Sequence, residues 1–323
     1  MSELAAGLTQ NFNRWLFRLH GPEASPIVLR QRRVFVLPTG SGLAFAVTVI
    51  LLLIGSINYF LSLGFMLTFL LAGLGIVAII HSFRNLVGLE IAAGRCGPVF
   101  RGESAVYTLV VRNHRADARL ALRLREGGGV PAALDVPGSD SAEARLVVPT
   151  RRRGWRRLQR VTLETTFPLG LIRAWSYIQP DMRCLVYPAP ERDPPPLPFG
   201  AAGLDGMLRA GPGIDDFAGL RGHQPADSPR HIAWKAVARE APLLTKQFAG
   251  AAAGLLWLDW WALPTNLDTE ARLSRLTAWV LAAHGARLPF GLRLPGIELA
   301  PADDEAHVRR CLQELALHGC GER

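Results

Sequence analysis

The chain has 323 residues and a net charge of +9, with 34 arginines against two lysines and only four cysteines. That length fits about two modest domains and a further segment. Because no Asp, Glu, Lys or Arg occurs between Arg33 and Arg84, we do not expect a wholly soluble protein. The sparse cysteines argue against a secreted disulfide scaffold and are expected to be reduced.

Two apolar stretches in the uncharged region predict a transmembrane helical hairpin over residues 41–83. They run from Gly42 to Tyr59 and from Leu63 to Ile80, and each is about long enough to cross a bilayer as a helix. A cleavable signal peptide fits poorly, since roughly forty residues precede the first stretch and no small-residue cleavage site follows it.

Arginines flank both ends of this hairpin and predict its orientation. They are Arg14, Arg18, Arg30, Arg32 and Arg33 before it, and Arg84, Arg95 and Arg101 after it. The positive-inside rule then predicts a multi-pass protein of the inner (cytoplasmic) membrane, with both termini and the soluble domains in the cytoplasm. Residues 1–40 form the cytoplasmic N-terminal segment, in which residues 8–20 have the pattern of an amphipathic helix.

Short alternating apolar and polar runs over residues 88–187 predict an antiparallel β-sandwich of immunoglobulin-like size. The predicted strands are 105–114, 119–126, 144–150, 155–166 and 183–188. Residues 84–187 carry 17 basic and nine acidic side chains, which suits a surface beside anionic lipid headgroups. A nucleic-acid surface is the alternative, but no basic run interleaved with aromatic residues is present, so no nucleic acid is expected.

A proline-rich and glycine-rich stretch at 188–213 predicts an extended linker before a last domain at 214–323. In that domain, Asp227 or Ser228 can cap a helix that Pro229 begins and that runs to about Ala241. Leu243 to Phe248 is predicted to be a strand. Further on, 254–260 and 289–296 predict strands, and residues from Asp268 and from Asp303 predict helices, which together indicate an α/β domain with a parallel sheet.

The motif in this last domain resembles that of the bacterial domain of unknown function 58 family. The matching residues are Arg221, Asp227, Arg230, Ile232, Trp234, Lys235, Ala238, Arg239, Lys246 and Phe248. His223 stands where the family usually has Tyr, and Ala226 where it has Gly. The hairpin, the start of the sandwich near Gly102, the turn at 167–171 and the strand at 185–188 follow the family's order as well.

The resemblance implies a C-terminal domain similar to a truncated von Willebrand factor A domain and a non-enzymatic adaptor or scaffold. Its implied partner is a MoxR-type AAA+ ATPase, and its implied contact residues are Arg221, Asp227, Arg230, Trp234, Lys235, Arg239 and Lys246. The family carries no defined enzymatic activity, so no catalytic residue and no cofactor are expected. Asp259 matches the first ligand of the A-domain metal turn, but both serines of that turn are missing, so no metal site is expected.

Other functions stay open at the level of sequence. His223 and Asp227 could act as acid and base in a membrane-bound enzyme that acts on a lipid or envelope precursor. No nucleophile motif and no phosphate-binding glycine loop accompanies them. A membrane-tethered nucleic-acid-binding protein is the third hypothesis, and it requires affinity that falls steeply with salt.

Overall fold

The computed structural model describes residues 21–198, 217–222, 244–248 and 256–320 of the chain. The chain divides into two compact units. The first comprises residues 1–187 with 320–323, and the second comprises 188–319. The predicted N-terminal helix at 8–20 and the helix at 229–241 lie outside the described residues.

The first unit contains two long helices and twelve described strands. The helices are α1 (Gly40–Tyr59) and α2 (Ser62–Leu86). The strands are β1 (Ile27–Val28), β2 (Phe35–Pro38), β3 (Leu89–Ala93), β4 (Val99–Phe100), β5 (Ser104–Asn113), β6 (Arg119–Glu126), β7 (Ala132–Val136), β8 (Ser141–Pro149), β9 (Gly154–Arg157), β10 (Val161–Thr165), β11 (Ile172–Ile178) and β12 (Arg183–Tyr187).

These strands form sheets in the orders β1-β3-β5-β8, β2-β11-β10-β6-β7 and β4-β12-β9. All pairs are antiparallel except β4 with β12. Along β5 and β11, buried residues alternate with more accessible ones, as the period of two of a strand requires. One buried cluster joins the sheets, and it includes Ile91, Tyr107, Leu124, Leu163 and Cys184. The prediction of antiparallel sheets in this region is confirmed.

The helical pair is an insertion within the sheets. Strands β1 and β2 precede α1 but pair with β3 and β11, which follow α2. The sandwich predicted for 88–187 therefore also contains residues 27–38, which the sequence had assigned to the N-terminal segment. Strands β1 and β2 are too short, and lie too close to the apolar segment, for an alternating pattern to be recognised in the sequence.

Two predicted boundaries differ from the structure. The run at 155–166 is not one strand but β9 and β10, which belong to different sheets. The chain turns between them at buried Leu158, whose backbone N–H donates to the carbonyl oxygen of Met182 at 2.9 Å. Helix α2 continues past Ile80 to Leu86, and Ser82, Asn85 and Leu86 in its last turns are buried.

The second unit has a short α/β core. Its elements are β13 (Phe217–Gly222), β14 (Leu244–Phe248), β15 (Leu256–Asp259), α3 (Thr269–Gly285), β16 (Phe290–Leu294), β17 (Ile297–Ala302) and α4 (Glu305–Leu317). Strands β15 and β16 are parallel, as predicted, but β17 was missed and pairs antiparallel with β16 after a turn at Gly296. Asp268 caps α3, with its Oδ1 accepting from the Ala271 N–H at 2.7 Å.

Residues 188–198, which we call the strap, are held to helix α3 and do not form a free spacer. Arg275 makes two hydrogen bonds to the Glu191 carboxylate, at 2.8 and 2.9 Å. Ser274 Oγ donates to the carbonyl oxygen of Ala189 at 2.6 Å, and Trp279 Nε1 donates to that of Pro195 at 2.7 Å. Proline lacks an N–H but keeps its carbonyl acceptor, so a proline-rich segment is suited to accept such bonds.

Candidate membrane anchor and partner-binding motif

Helices α1 and α2 are long enough and apolar enough to cross a membrane. Only 11% of the most apolar 18-residue stretch of each helix is buried within the structure. Most of the large hydrophobic side chains exposed in the described part of the chain belong to these two helices and the turn between them. An exposed apolar surface of this kind indicates contact with lipid or with another protein.

Three polar side chains in the apolar parts of the helices bind within their own helix. Thr48, Ser56 and Thr68 each donate to a backbone carbonyl four residues earlier, at 2.7 to 2.9 Å. Near the turn the helices approach closely, since a Cβ on Gly64 would lie 2.3 Å from Ser56 Oγ. In the hydrocarbon core of a membrane no water is present, so polar groups must make their hydrogen bonds within the protein.

The base of α1 is fixed to the turn between β10 and β11, residues 167–171, which we call the clasp turn. The Thr39 N–H donates to the Leu171 carbonyl oxygen at 2.9 Å, and Thr39 Oγ1 lies 2.7 Å from that of Gly170. Thr39 Oγ1 also accepts from the Gly42 N–H at 3.1 Å, so the residue caps the helix. A Cβ on Gly42 would lie 2.0 Å from the Leu171 carbonyl oxygen, so only glycine permits this approach.

The base of α2 is fixed to the same turn and to the sheet below it. Buried Ser82 donates from Oγ to the carbonyl oxygen of Phe167 at 2.6 Å. Asn85 Nδ2 donates to the carbonyl oxygen of Leu120 at 2.8 Å and to Thr165 Oγ1 at 3.0 Å, while its Oδ1 accepts from the Leu120 N–H at 3.2 Å. The clasp turn is therefore held by both helices.

A buried arginine terminates α2. Arg119 is 3% exposed, and its guanidinium donates to the carbonyl oxygens of Arg84 and Val87 and to Asn113 Oδ1. Burial lowers the pKa of Arg119, and the charge of Arg115 lowers it further, but a guanidinium stays protonated at neutral pH. A positive charge at a helix C-terminus is favourable because the helix dipole is negative there.

Three exposed leucines surround the bases of the helices. Leu37 lies just before Thr39, Leu169 lies in the clasp turn, and the backbone of Leu120 binds Asn85; they are 57%, 47% and 36% exposed. Exposed His81 and Arg84 lie on the last turns of α2. Apolar side chains with polar and basic side chains beside them fit the boundary between hydrocarbon and headgroups.

The structure describes only part of the predicted partner-binding motif. Arg221 lies on β13 opposite Thr245, and Lys246 lies on β14 opposite Leu220, so two paired strands bring both residues to neighbouring positions. The remaining motif residues lie outside the described residues: Asp227, Arg230, Trp234, Lys235 and Arg239. His223, named in the enzymatic alternative, lies outside them as well.

Asp259, for which the sequence predicted no metal site, ends β15. Its Oδ1 accepts from the Trp261 N–H at 2.9 Å, so the carboxylate stabilises the turn after the strand. Within the described ranges, no group of three or more His, Cys, Asp or Glu side chains is placed to hold a metal ion.

Sequence reasoning missed the residues that fix the helices. Thr39, which precedes Gly40, Ser41 and Gly42, has the pattern of a helix cap. Asn85 is a polar residue at the end of an apolar helix, so both residues could have been singled out from the sequence. Arg119 left none, because arginines that alternate with leucine and alanine are typical of the solvated face of a strand. A scan against models of known protein families finds no match for the chain, and no curated protein matches it.

Proposed function

We propose that the protein is a non-enzymatic adaptor or scaffold, anchored in the inner membrane by α1 and α2, whose cytoplasmic domains bind a partner. The observation that carries this proposal is the insertion of the helical pair within the β-sheets. Strands that precede the helices in sequence pair with strands that follow them, and Asn85 and Arg119 hold the base of the helical pair to the sheets. An anchor joined in this way holds the sandwich at a defined position on the membrane, unlike a tail on a flexible linker.

The orientation follows from charge. The uncharged region that contains both helices ends at exposed Arg84. Before it, Arg30, Arg32 and Arg33 precede β2, whereas the turn between the helices is uncharged. Under the positive-inside rule both soluble units lie in the cytoplasm. The excess of basic residues in 84–187 then faces anionic headgroups, where each nearby cation contributes about 1 kcal/mol.

The finer identity of the domains belongs to the same proposal. The antiparallel sheets around one core support an immunoglobulin-like sandwich. The order β15, α3, β16, with β15 and β16 parallel, supports a C-terminal domain similar to a truncated von Willebrand factor A domain. Together with the resemblance to the domain of unknown function 58 family, these features favour a MoxR-type AAA+ ATPase as the partner.

The proposed contact surface is the motif that begins on β13 and ends on β14. Arg221 and Lys246 lie at adjacent register positions of these paired strands, with Asp227, Arg230, Trp234, Lys235 and Arg239 in the segment between them. Five of these seven residues are arginine or lysine, which suits an acidic partner surface, because an arginine can bind a carboxylate with two hydrogen bonds.

The test is recovery of the partner with the tagged full-length protein from detergent-solubilised membranes of its native host, with and without ATP. We expect an AAA+ ATPase to be recovered in a nucleotide-dependent manner and to be lost in an Asp227→Ala/Arg230→Ala variant. Arg309→Ala is the matched control, because Arg309 is an exposed arginine of α4 outside the motif.

Two results would contradict the proposal. One is equal recovery of the ATPase with the motif variant and with wild type, which would remove the motif as the contact. The other is the absence of any AAA+ ATPase from a wild-type preparation that remains in the membrane fraction, which would remove the partner.

A further inference from the structure

Two cysteines that are distant in sequence lie together in the sheet β4-β12-β9. Val99 of β4 lies opposite Val186 of β12 in a parallel pair, and continuing this register by two residues brings Gly97 opposite Cys184. The thiol of Cys184 lies 3.2 Å from the Gly97 carbonyl oxygen, and the thiol of Cys96 lies 3.7 Å from the same atom. Both sulfurs therefore converge on one backbone oxygen.

The surroundings make the two thiols unequal. Cys184 is fully buried, whereas Cys96 is partly exposed. A hydrogen bond from the Cys96 thiol lowers the pKa of Cys184, and the Arg156 charge lowers it further against the effect of burial. The same hydrogen bond raises the pKa of Cys96. The pair thus combines one sulfur that solvent reaches with a neighbouring sulfur that favours the thiolate.

The other two cysteines do not form such a pair. Cys311 is buried in α4, where its sulfur lies 3.4 Å from His307 Nε2, and burial raises its pKa to about 12. Cys320 is partly exposed and belongs to the first unit. None of the four cysteines is in a disulfide in the structure.

We propose that Cys96 and Cys184 are a modification site at which a peroxide forms a reversible disulfide. The Cys184 thiolate first takes the Cys96 proton along their hydrogen bond, and the Cys96 thiolate, which solvent reaches, then accepts one oxygen from hydrogen peroxide. This step gives a Cys96 sulfenic acid and hydroxide, and the hydroxide takes the proton back from Cys184 and leaves as one water. The Cys184 sulfur then attacks the Cys96 sulfur, the S–S bond forms, and hydroxide leaves and takes up a proton as the second water. Two thiols lose two electrons and two protons, and a dithiol reductant reverses the reaction.

The disulfide joins parts of the chain that are distant in sequence. Cys184 and Gly97 are 87 residues apart. Such a bond restricts the unfolded chain and raises the stability of the first unit. It also fixes β12, the strand after which the second unit begins at Pro188.

The test treats full-length protein in detergent with increasing hydrogen peroxide, blocks remaining thiols with N-ethylmaleimide, and digests it with trypsin without reduction. Cleavage after Arg95, Arg101, Arg183 and Arg192 places the two cysteines in short peptides, 96–101 and 184–192. We expect mass spectrometry to find these peptides joined, with the joined species lost after dithiothreitol. The oxidised protein is also expected to unfold at a higher temperature than the reduced protein.

Two variants make the result decisive. Cys96→Ser must abolish the joined peptides, and because Cys96 is partly exposed this variant is expected to keep the wild-type unfolding temperature of the reduced protein. Cys320→Ser must leave the joined peptides unchanged. Conversion of Cys96 to sulfinic acid without the joined species, or its linkage to Cys320 or to a second copy of the chain, would overturn the proposal.

Discussion

The base of the helical pair and the strap are both attachments between a chain segment and a folded layer, but they use different chemistry. At the base, neutral amide and hydroxyl groups and one buried guanidinium bind backbone oxygens. Along the strap, a carboxylate and a guanidinium that solvent partly reaches make the central contact, with Glu191 and Arg275 side chains 30% and 16% exposed.

The difference follows from what each attachment must resist. Side chains beside the apolar helices have little water to replace a lost partner, so an unmade hydrogen bond there carries its full desolvation cost. Water can partly solvate Glu191 and Arg275 when they separate, so their ion pair contributes little. We therefore expect substitutions at the base to destabilise more than substitutions at the strap, and only the strap to depend on acid.

Asn85→Ala tests the base with the largest expected effect. It removes three hydrogen bonds made by a side chain that is itself buried, and it takes the acceptor away from the Leu120 N–H. We expect a loss of about 2–4 kcal/mol in the free energy of unfolding of the first unit. The measurement is denaturant unfolding in detergent. Asn58→Ala, at an exposed position near the tip of the pair, is the control and should stay within about 0.5 kcal/mol of wild type.

Gly42→Ala tests the close approach between α1 and the clasp turn. Because the new Cβ would meet the Leu171 carbonyl oxygen, the helix or the turn must shift, which we expect to cost about 1–3 kcal/mol. Gly55→Ala is the matched control, since a Cβ there meets no atom within 4 Å and alanine favours a helix. Equal thermal stability of the two variants would contradict this prediction, because it would show that the clasp turn can move away from the new Cβ without a loss of stability.

Glu191→Gln tests the strap and should have the smallest effect. The hydrogen bonds from Arg275 hold the pKa of Glu191 below its usual 4.5, against the opposing effect of burial. The ion pair therefore stabilises the folded state above about pH 4.5 and loses its contribution as the pH falls through the lowered pKa. Calorimetry should show Glu191→Gln less stable than wild type by under about 1 kcal/mol at pH 7, with the two curves converging in acid.

Glu305→Gln is the control for that comparison, because its partner Arg309 lies on the same exposed helix face and both side chains are about 70% exposed. We expect it to change stability by less than about 0.5 kcal/mol at any pH. A difference between Glu191→Gln and wild type that persists in acid would show that packing of the strap, and not its ion pair, is what the substitution disturbs.

The sequence predicted those elements whose pattern is local. Strand β6 was predicted with the bounds that the structure has, the cap at Asp268 was predicted correctly, and the two apolar helices were recognised by length and composition. Strand β11 was missed, because its inward positions include Ala174 and Ser176, which weaken the apolar alternation. The motif residues from Asp227 to Arg239 stay predictions, since they lie outside the described residues.

Contacts between residues that are distant in sequence could not be predicted. Asn85 binds the backbone of Leu120, 35 residues later, and no local pattern announces that pairing. In β6 the arginines alternate with Leu and Ala, a pattern typical of a strand with one solvated face, and nothing in it marks Arg119 as buried. Its burial depends on where α2 ends, and that end differed from the prediction by several residues.

The insertion of the helical pair has a consequence for the order of assembly during synthesis. Thr39 and its partner Leu171 are 132 residues apart, so the ribosome makes both helices long before the strand that accepts β2 exists. In the proposed membrane topology, the bilayer receives the helices while the first sheets still have open edges. Pairings of such separation form slowly. A chaperone or the insertion machinery would thus find β1 and β2 exposed at the membrane surface, waiting for β3 and β11.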